Sequence, residues 1–256
     1  MKTILYNNKK IEVYDDIEDM PIVNFQKYNK YLLIDSGVGS DVDDIDAHII
    51  KVAKLIGAND QNKALQELQN MRQNMYMVNC EISPKYLAFA ALIKSVDGKE
   101  VTDLSDDGLK ALLQSINKIK HSTIIDFLSR FKKKITEQLR TYFPVEFGPD
   151  SKEKDYYDKY KWKTIYELQQ LIEKKDYSRE ISDIERILFE KYKPNIFYGS
   201  NSIEIAHDKK FESSCLIISQ KMNTDAKKMT VLQFYNALAL VKAQLDAETK
   251  SIKKRK

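Results

Sequence analysis

The sequence predicts a mainly α fold, multi-helix domains with a small N-terminal β-hairpin, and three observations lead there. Glycine is scarce, 7 in 256 residues, against a usual share of about 7%. The glycines (37, 39, 57, 98, 108, 148, 199) and prolines (21, 84, 144, 149, 194) nearly all fall between periodic segments or in a first turn. Leu, Ile, Lys, Glu, Gln and Ala are abundant in the stretches between them, and their apolar members recur at helical spacing. The apolar fraction of 43% belongs to a globular chain.

The first element is the exception to helix. "TILYNNKKIEVYD" is two short β-type runs around Asn7-Asn8-Lys9-Lys10, a hairpin pattern. A helix follows Pro21 through "VNFQKYNKYLLI". The next stretch, "LLIDSGVGSDVDD" (32–44), resembles three kinds of chemistry at once. Asp-Ser-Gly after apolar residues starts an aspartic-protease loop, Gly-x-Gly-Ser is a fragment of a phosphate loop, and clustered Asp could hold a cation. The protease needs a second such loop and an all-β scaffold, because two carboxylates must share one proton. A phosphate loop needs Lys-Ser/Thr after its second glycine, and here Ser40-Asp41 follows. A twelve-residue calcium loop needs a later Gly and a terminal Glu, both missing. The favoured reading is a joint between two helices: Gly37 and Gly39 end one, Ser40 caps the next with Asp43 three residues on, and the remaining Asp residues suit the positive helix end.

Val42, Ile45, Ile49, Val52 and Ile56 then recur at steps of 3, 4, 3 and 4, an apolar stripe that Gly57 ends. Leu65, Leu68, Met71, Met75 and Val78 mark a helix opened by Asn59 or Asp60. Ser83-Pro84 introduces the helix "KYLAFAALIKSV", "VDGKEV" is a turn, and "LSDDGLKALLQSINKI" is a capped helix. Ile124, Leu128, Phe131, Ile135 and Leu139 form a longer stripe from Ser122. "FPVEFGPD" (143–150) has Pro, Gly and no periodicity, so the expected division is 1–147, hairpin plus helical domain, and 148–256, a helical subdomain with a basic tail. Helices are expected in "KEKDYYDKYKWKTIYELQQLIEKK", "ISDIERILFEKY" and "SIEIAHDKKFESSCLIISQKM". The last starts at Thr230, with Gln233 completing a capping box and Val231, Phe234, Leu238, Val241 and Leu245 as its stripe.

No enzyme is expected. His48, His121 and His207 have no metal-ligand spacing, and no Ser or Cys sits in a nucleophile elbow. His48 and His207 are residues that could face a carboxylate. Cys80 and Cys215 match no metal or redox motif and read as free, buried thiols. No cofactor, metal or small-molecule substrate is implied. The longest apolar run, "YLAFAALI", is too short to span a bilayer, and "MKTILYNNKK" lacks a signal-peptide core, so a soluble intracellular product without a membrane partner is expected. The net charge of +4, from 42 basic and 38 acidic residues, is not that of a dedicated nucleic-acid binder.

Two stretches are candidate partner-binding sites. "KEKDYYDKYKWK" interleaves Lys with Tyr156, Tyr157, Tyr160 and Trp162, side chains that stack on bases or anchor protein interfaces. Tyr157, Tyr160, Thr164, Leu168 and Leu171 also follow a helix stripe, and packing within the chain is the favoured role for it. Lys253, Lys254 and Arg255 in "KSIKKRK" could reach phosphate in a weak, salt-dependent DNA contact, or simply complement the helix dipole.

"MPIVNFQKYNKYLLIDSGVGSDVDDIDAHI" (20–49) and "ELQNMRQNMYMVNCEISPKYLAFAALI" (67–93) with "VDG" behind it resemble small virion proteins of tailed bacteriophages, those of the structural gene cluster of crAss-like phages infecting Bacteroides. The likeness covers the first 120 residues or so, with a looser echo in "MTVLQFYNALALVKAQ" (229–244), and transfers no functional residue. It implies a ring, neck or tail-connector subunit, made in the host cytoplasm and located in the head-to-tail region of the virion. Its partners would be portal, neck and tail proteins and copies of itself in a ring. A tail assembly chaperone or scaffold not retained in the virion, and a DNA-contacting protein, are the alternatives.

Overall fold

The computed structural model describes residues 2–6, 9–39, 41–79, 83–116, 119–148, 151–190 and 192–254. Two compact units emerge: Met1–Thr141 with Asn195–Lys256, and Tyr142–Pro194.

The first unit is mainly helical, as expected, with one small sheet. Strands β1 (Lys2–Tyr6) and β2 (Lys9–Val13) pair antiparallel, Thr3 opposite Glu12 and Leu5 opposite Lys10. The turn residues Asn7 and Asn8 lie outside the described residues. Two further strands, β3 (Ile93–Val96) and β4 (Lys99–Glu100), extend the sheet in the order β1-β2-β3-β4. These strands replace the expected end of the "KYLAFAALIKSV" helix and flank the expected turn at Asp97-Gly98. Asp97 and Gly98 both take positive φ (50° and 80°), the geometry of a tight two-residue hairpin turn. The Asp97 carboxylate then accepts from Lys10 N–H at 2.7 Å, pinning the hairpin to β2. Ile11, Val13 and Ile93 are buried, while Ser95 stands opposite Glu12 and donates to its carboxylate at 3.0 Å.

Helix α1 (Ile22–Val38) supplies the central stripe: Ile22, Phe25, Tyr28, Tyr31, Ile34 and Val38, all buried. It packs on α4 (Pro84–Ala91), whose Ala88, Ala90 and Ala91 allow close approach, and Asn24 donates to the Ala91 carbonyl at 2.8 Å. The remaining helices between α1 and residue 142 are α2 (Val42–Gly57), α3 (Gln61–Asn79), α5 (Asp106–Ser115) and α6 (His121–Tyr142). The whole expected α6 stripe, Ile124 to Leu139, is buried. Phe131 meets Tyr28 edge-on at 5.0 Å, and Phe127 meets Phe89 at 5.4 Å, so α6 closes the core over α1 and α4.

In the second unit α7 (Pro144–Phe147) precedes α8 (Ser151–Glu173) and α9 (Ser178–Glu190), which pack as a helical hairpin. The chain then returns to the first unit with α10 (Ile203–Met222) and α11 (Val231–Lys254). This return redraws the expected 148–256 subdomain, and its physical cause is a set of backbone pairings. Ile22 N–H donates to Met229 O, Val231 N–H to Met20 O and Leu232 N–H to Ile17 O, each at 2.9–3.0 Å. The Thr230–Gln233 capping box opens α11 there, with bonds of 3.1 and 3.3 Å, and Val231, Phe234, Ala237 and Val241 enter the core.

Candidate interaction surface

The Asp35-Ser36-Gly37 stretch belongs to the end of helix α1, which runs to Val38. Asp35 stands beside Lys85 Nζ at 3.7 Å, not at a strand end. Gly37 lies inside the helix, and it is glycine because the Phe197 ring occupies the space that a Cβ would fill. Only Gly39, at φ 83°, terminates α1, its N–H donating to Asp35 O. The cap of α2 is Asp41, not Ser40, which lies outside the described residues. Asp41 Oδ1 accepts from Asp44 N–H and Asp44 Oδ2 accepts from Asp41 N–H, each at 3.2 Å, a capping box built from two aspartates. The joint between α1 and α2 is therefore a helix terminator followed by a helix cap. No group of three or more His, Cys, Asp or Glu among the described residues is placed to hold a metal ion.

His48 does face a carboxylate. Its Nδ1 lies 2.6 Å from Glu67 Oε1 and its Nε2 2.9 Å from the Val38 carbonyl. A carbonyl only accepts, so Nε2 carries hydrogen, and the Glu67 carboxylate at Nδ1 favours the protonated ring. Burial alone would lower the His48 pKa, but the Glu67 hydrogen bond, the Val38 carbonyl and the Glu67 charge together raise it. The pair ties α2 to α3 and both to the end of α1, with Lys51 Nζ 3.5 Å from the same Glu67 oxygen. His207 instead accepts from Gln26 Nε2 at 2.8 Å, and burial lowers its pKa. Cys215 is a buried free thiol, pushed up to about 11 by desolvation; Cys80 lies outside the described residues.

This polar seam inverts α3. Glu67, Asn70 and Asn74 are buried, with Asn70 donating to Asn195 O and Asn74 to Val38 O, each at 2.8 Å. Three of the five expected stripe residues face outward instead, Leu65, Leu68 and Met75 at 57%, 40% and 46% exposed, while Met71 and Val78 are half-buried. On α2 the same happens to Val42, Ile49 and Ile56, while Val52 stays buried. A strict 3,4 repeat is a narrow seam suited to one partner helix, and here α2 and α3 use other residues to meet each other.

In the second unit, α8 meets α9 through Lys163–Glu185 at 3.1 Å and the turn before α9 through Tyr166–Tyr177 ring centroids at 5.4 Å. About 100° per residue then puts Tyr157, Tyr160, Thr164, Leu168 and Leu171 on the opposite side of α8. Tyr157, Tyr160, Leu168 and Leu171 are all more than half exposed, so this stripe does not pack within the chain as favoured from the sequence. Tyr156 and Trp162 are exposed too, Trp162 tilted on Tyr166 at 6.0 Å and Tyr156 edge-on to Tyr157 at 5.9 Å. No described side chain from Tyr156 to Glu190 is buried. The side chains of Lys253 and Lys254, and Arg255 entirely, lie outside the described residues.

A cleft of about 290 Å³ in the first unit is lined by Val23, Gln26, Lys27, Asp208, Phe211 and Lys227 among others. Its charges are committed to pairs: Asp208 with Lys30 at 2.6 Å, Lys227 with Glu212 at 2.8 Å, Lys27 with Asp106 at 3.4 Å. Among the described residues no helix is long and apolar enough to cross a membrane. What distinguishes the surface is apolar helix faces turned to solvent. No family model matches this chain, no curated protein matches it, and no solved structure matches it.

Proposed function

We propose that this chain is a non-enzymatic structural subunit of a tailed-phage virion, part of a ring, neck or tail connector that assembles with portal and tail proteins. The observation that carries the reading is the outward placement of regular apolar stripes on α2, α3 and α8. Exposed apolar area of this kind is costly in a free chain and marks a surface used for association. Assembly subunits need such surfaces rather than a reaction centre, and ring contacts between unlike patches demand no motif. The edge strand β1, with Leu5 exposed, adds a sheet edge onto which a neighbour's strand fits.

Mass spectrometry of gradient-purified virions of the phage that encodes the chain tests this. The expected result is the chain at a fixed, multi-copy ratio to the portal protein. Its absence from particles, together with its capture on tail proteins before assembly, supports the assembly-chaperone reading instead.

A further inference from the structure

The α2–α3 hairpin carries one continuous apolar face. Val42, Ile49 and Ile56 on α2 and Leu65, Leu68 and Met75 on α3 are between 40% and 62% exposed. The two helices run antiparallel and meet through His48 and Glu67. At about 100° per residue, Ile49 and Ile56 stand roughly a quarter-turn onward from that seam on α2. Leu68 and Met75 stand a similar step onward on α3. In an antiparallel pair, equal turns in the chain direction lead to the same side, so both stripes share one face.

Two charged residues flank this face, Asp46 on the outer edge of α2 and Arg72 on the outer edge of α3, both exposed. The other charges of the two helices, Asp43, Asp44, Lys51, Lys54 and Lys63, fall toward the seam or the opposite side. The His48–Glu67 contact fixes the axial register, which sets Asp46 about one helical turn or less, roughly 5 Å, from the level of Arg72. In one chain the two charges sit on opposite flanks.

We propose that this face pairs with the same face of a second copy of the chain, about a two-fold axis parallel to the helices, to form a four-helix bundle. That rotation keeps the axial level and exchanges the flanks. It lays α2 of each copy along α3 of the other, antiparallel, with the apolar stripes between them. It also brings Asp46 of each copy beside Arg72 of the other, converting four charges into two ion pairs. The acid and the base on opposite flanks identify the occupant, because a face with one of each is complementary to itself under this rotation. The pairing is a property of the chain alone and holds whether or not the chain is a virion component.

Sedimentation equilibrium of the full chain, from about 1 to about 100 µM, tests the pairing across the usual range of modest affinities. The wild type is expected at the mass of two chains. Asp46→Arg or Arg72→Asp alone sets like charges across the bundle and is expected to raise the dissociation constant about ten-fold. The combined D46R/R72D chain regains the wild-type value, and Ile49→Asp sediments as one chain. All three sites are exposed, so circular dichroism is expected to show unchanged helix content. A wild type of single-chain mass throughout overturns the proposal. So does an oligomer that Ile49→Asp leaves intact, or a double exchange as weak as its single parents.

Discussion

At His48 both ring nitrogens have acceptors, Glu67 and the Val38 carbonyl, inside a site where neither the imidazole nor the carboxylate reaches solvent appreciably. The folded-state pKa is raised, so the stabilising contribution is complete below the unfolded value of about 6.5 and is lost as pH rises through the folded value. Comparing urea midpoints of the wild type and His48→Gln from about pH 6 to about pH 9 reads this directly, with the gap between them expected to shrink as pH rises. A gap independent of pH would mean that the ring is neutral throughout. Removing the other partner, Glu67→Ala, leaves the buried ring without its carboxylate and is expected to cost about 3 kcal/mol. The sequence showed only that His48 could meet a carboxylate. Its partner, 19 residues on, was hidden because Glu67 sits where a helix reader expects a solvent-facing residue.

Among the elements, α6 was fully legible because each apolar residue of its stripe enters the core. The α2, α3 and α8 stripes were legible as helices, yet their direction was not. A repeat at steps of 3 and 4 looks the same whether it faces the chain's own core or another molecule, and the buried polar seam of Glu67, Asn70 and Asn74 decided the direction in α3. Strands β3 and β4 were missed because a short apolar run fits a buried strand as well as a helix; the positive φ at Asp97 resolves it. The α8–α9 hairpin has no buried described side chain from Tyr156 to Glu190, and a helical pair with little burial opens easily. Hydrogen exchange of the free chain is therefore expected to be about a hundred-fold or more faster in 156–190 than in α1. Comparable protection in both would show that the hairpin is stable without a partner.

Across the whole chain, two compact units each carry apolar helix faces that their own packing leaves uncovered. The division near residue 142 was visible as the Pro- and Gly-containing break. The return of 195–256 to the first unit was not, because the pairing of Met229 and Val231 with residues near Pro21 uses backbone groups that leave no mark in side-chain pattern. Uncovered faces in both units are the observation on which the proposed association rests. Hydroxyl-radical footprinting of the chain, free and within purified particles, is the most direct measurement of that. The account predicts that Tyr157, Leu168 and Leu171 on α8, which the α2–α3 pairing leaves open, are labelled in the free chain and strongly protected in the particle. Equal labelling of these side chains in both states would contradict it.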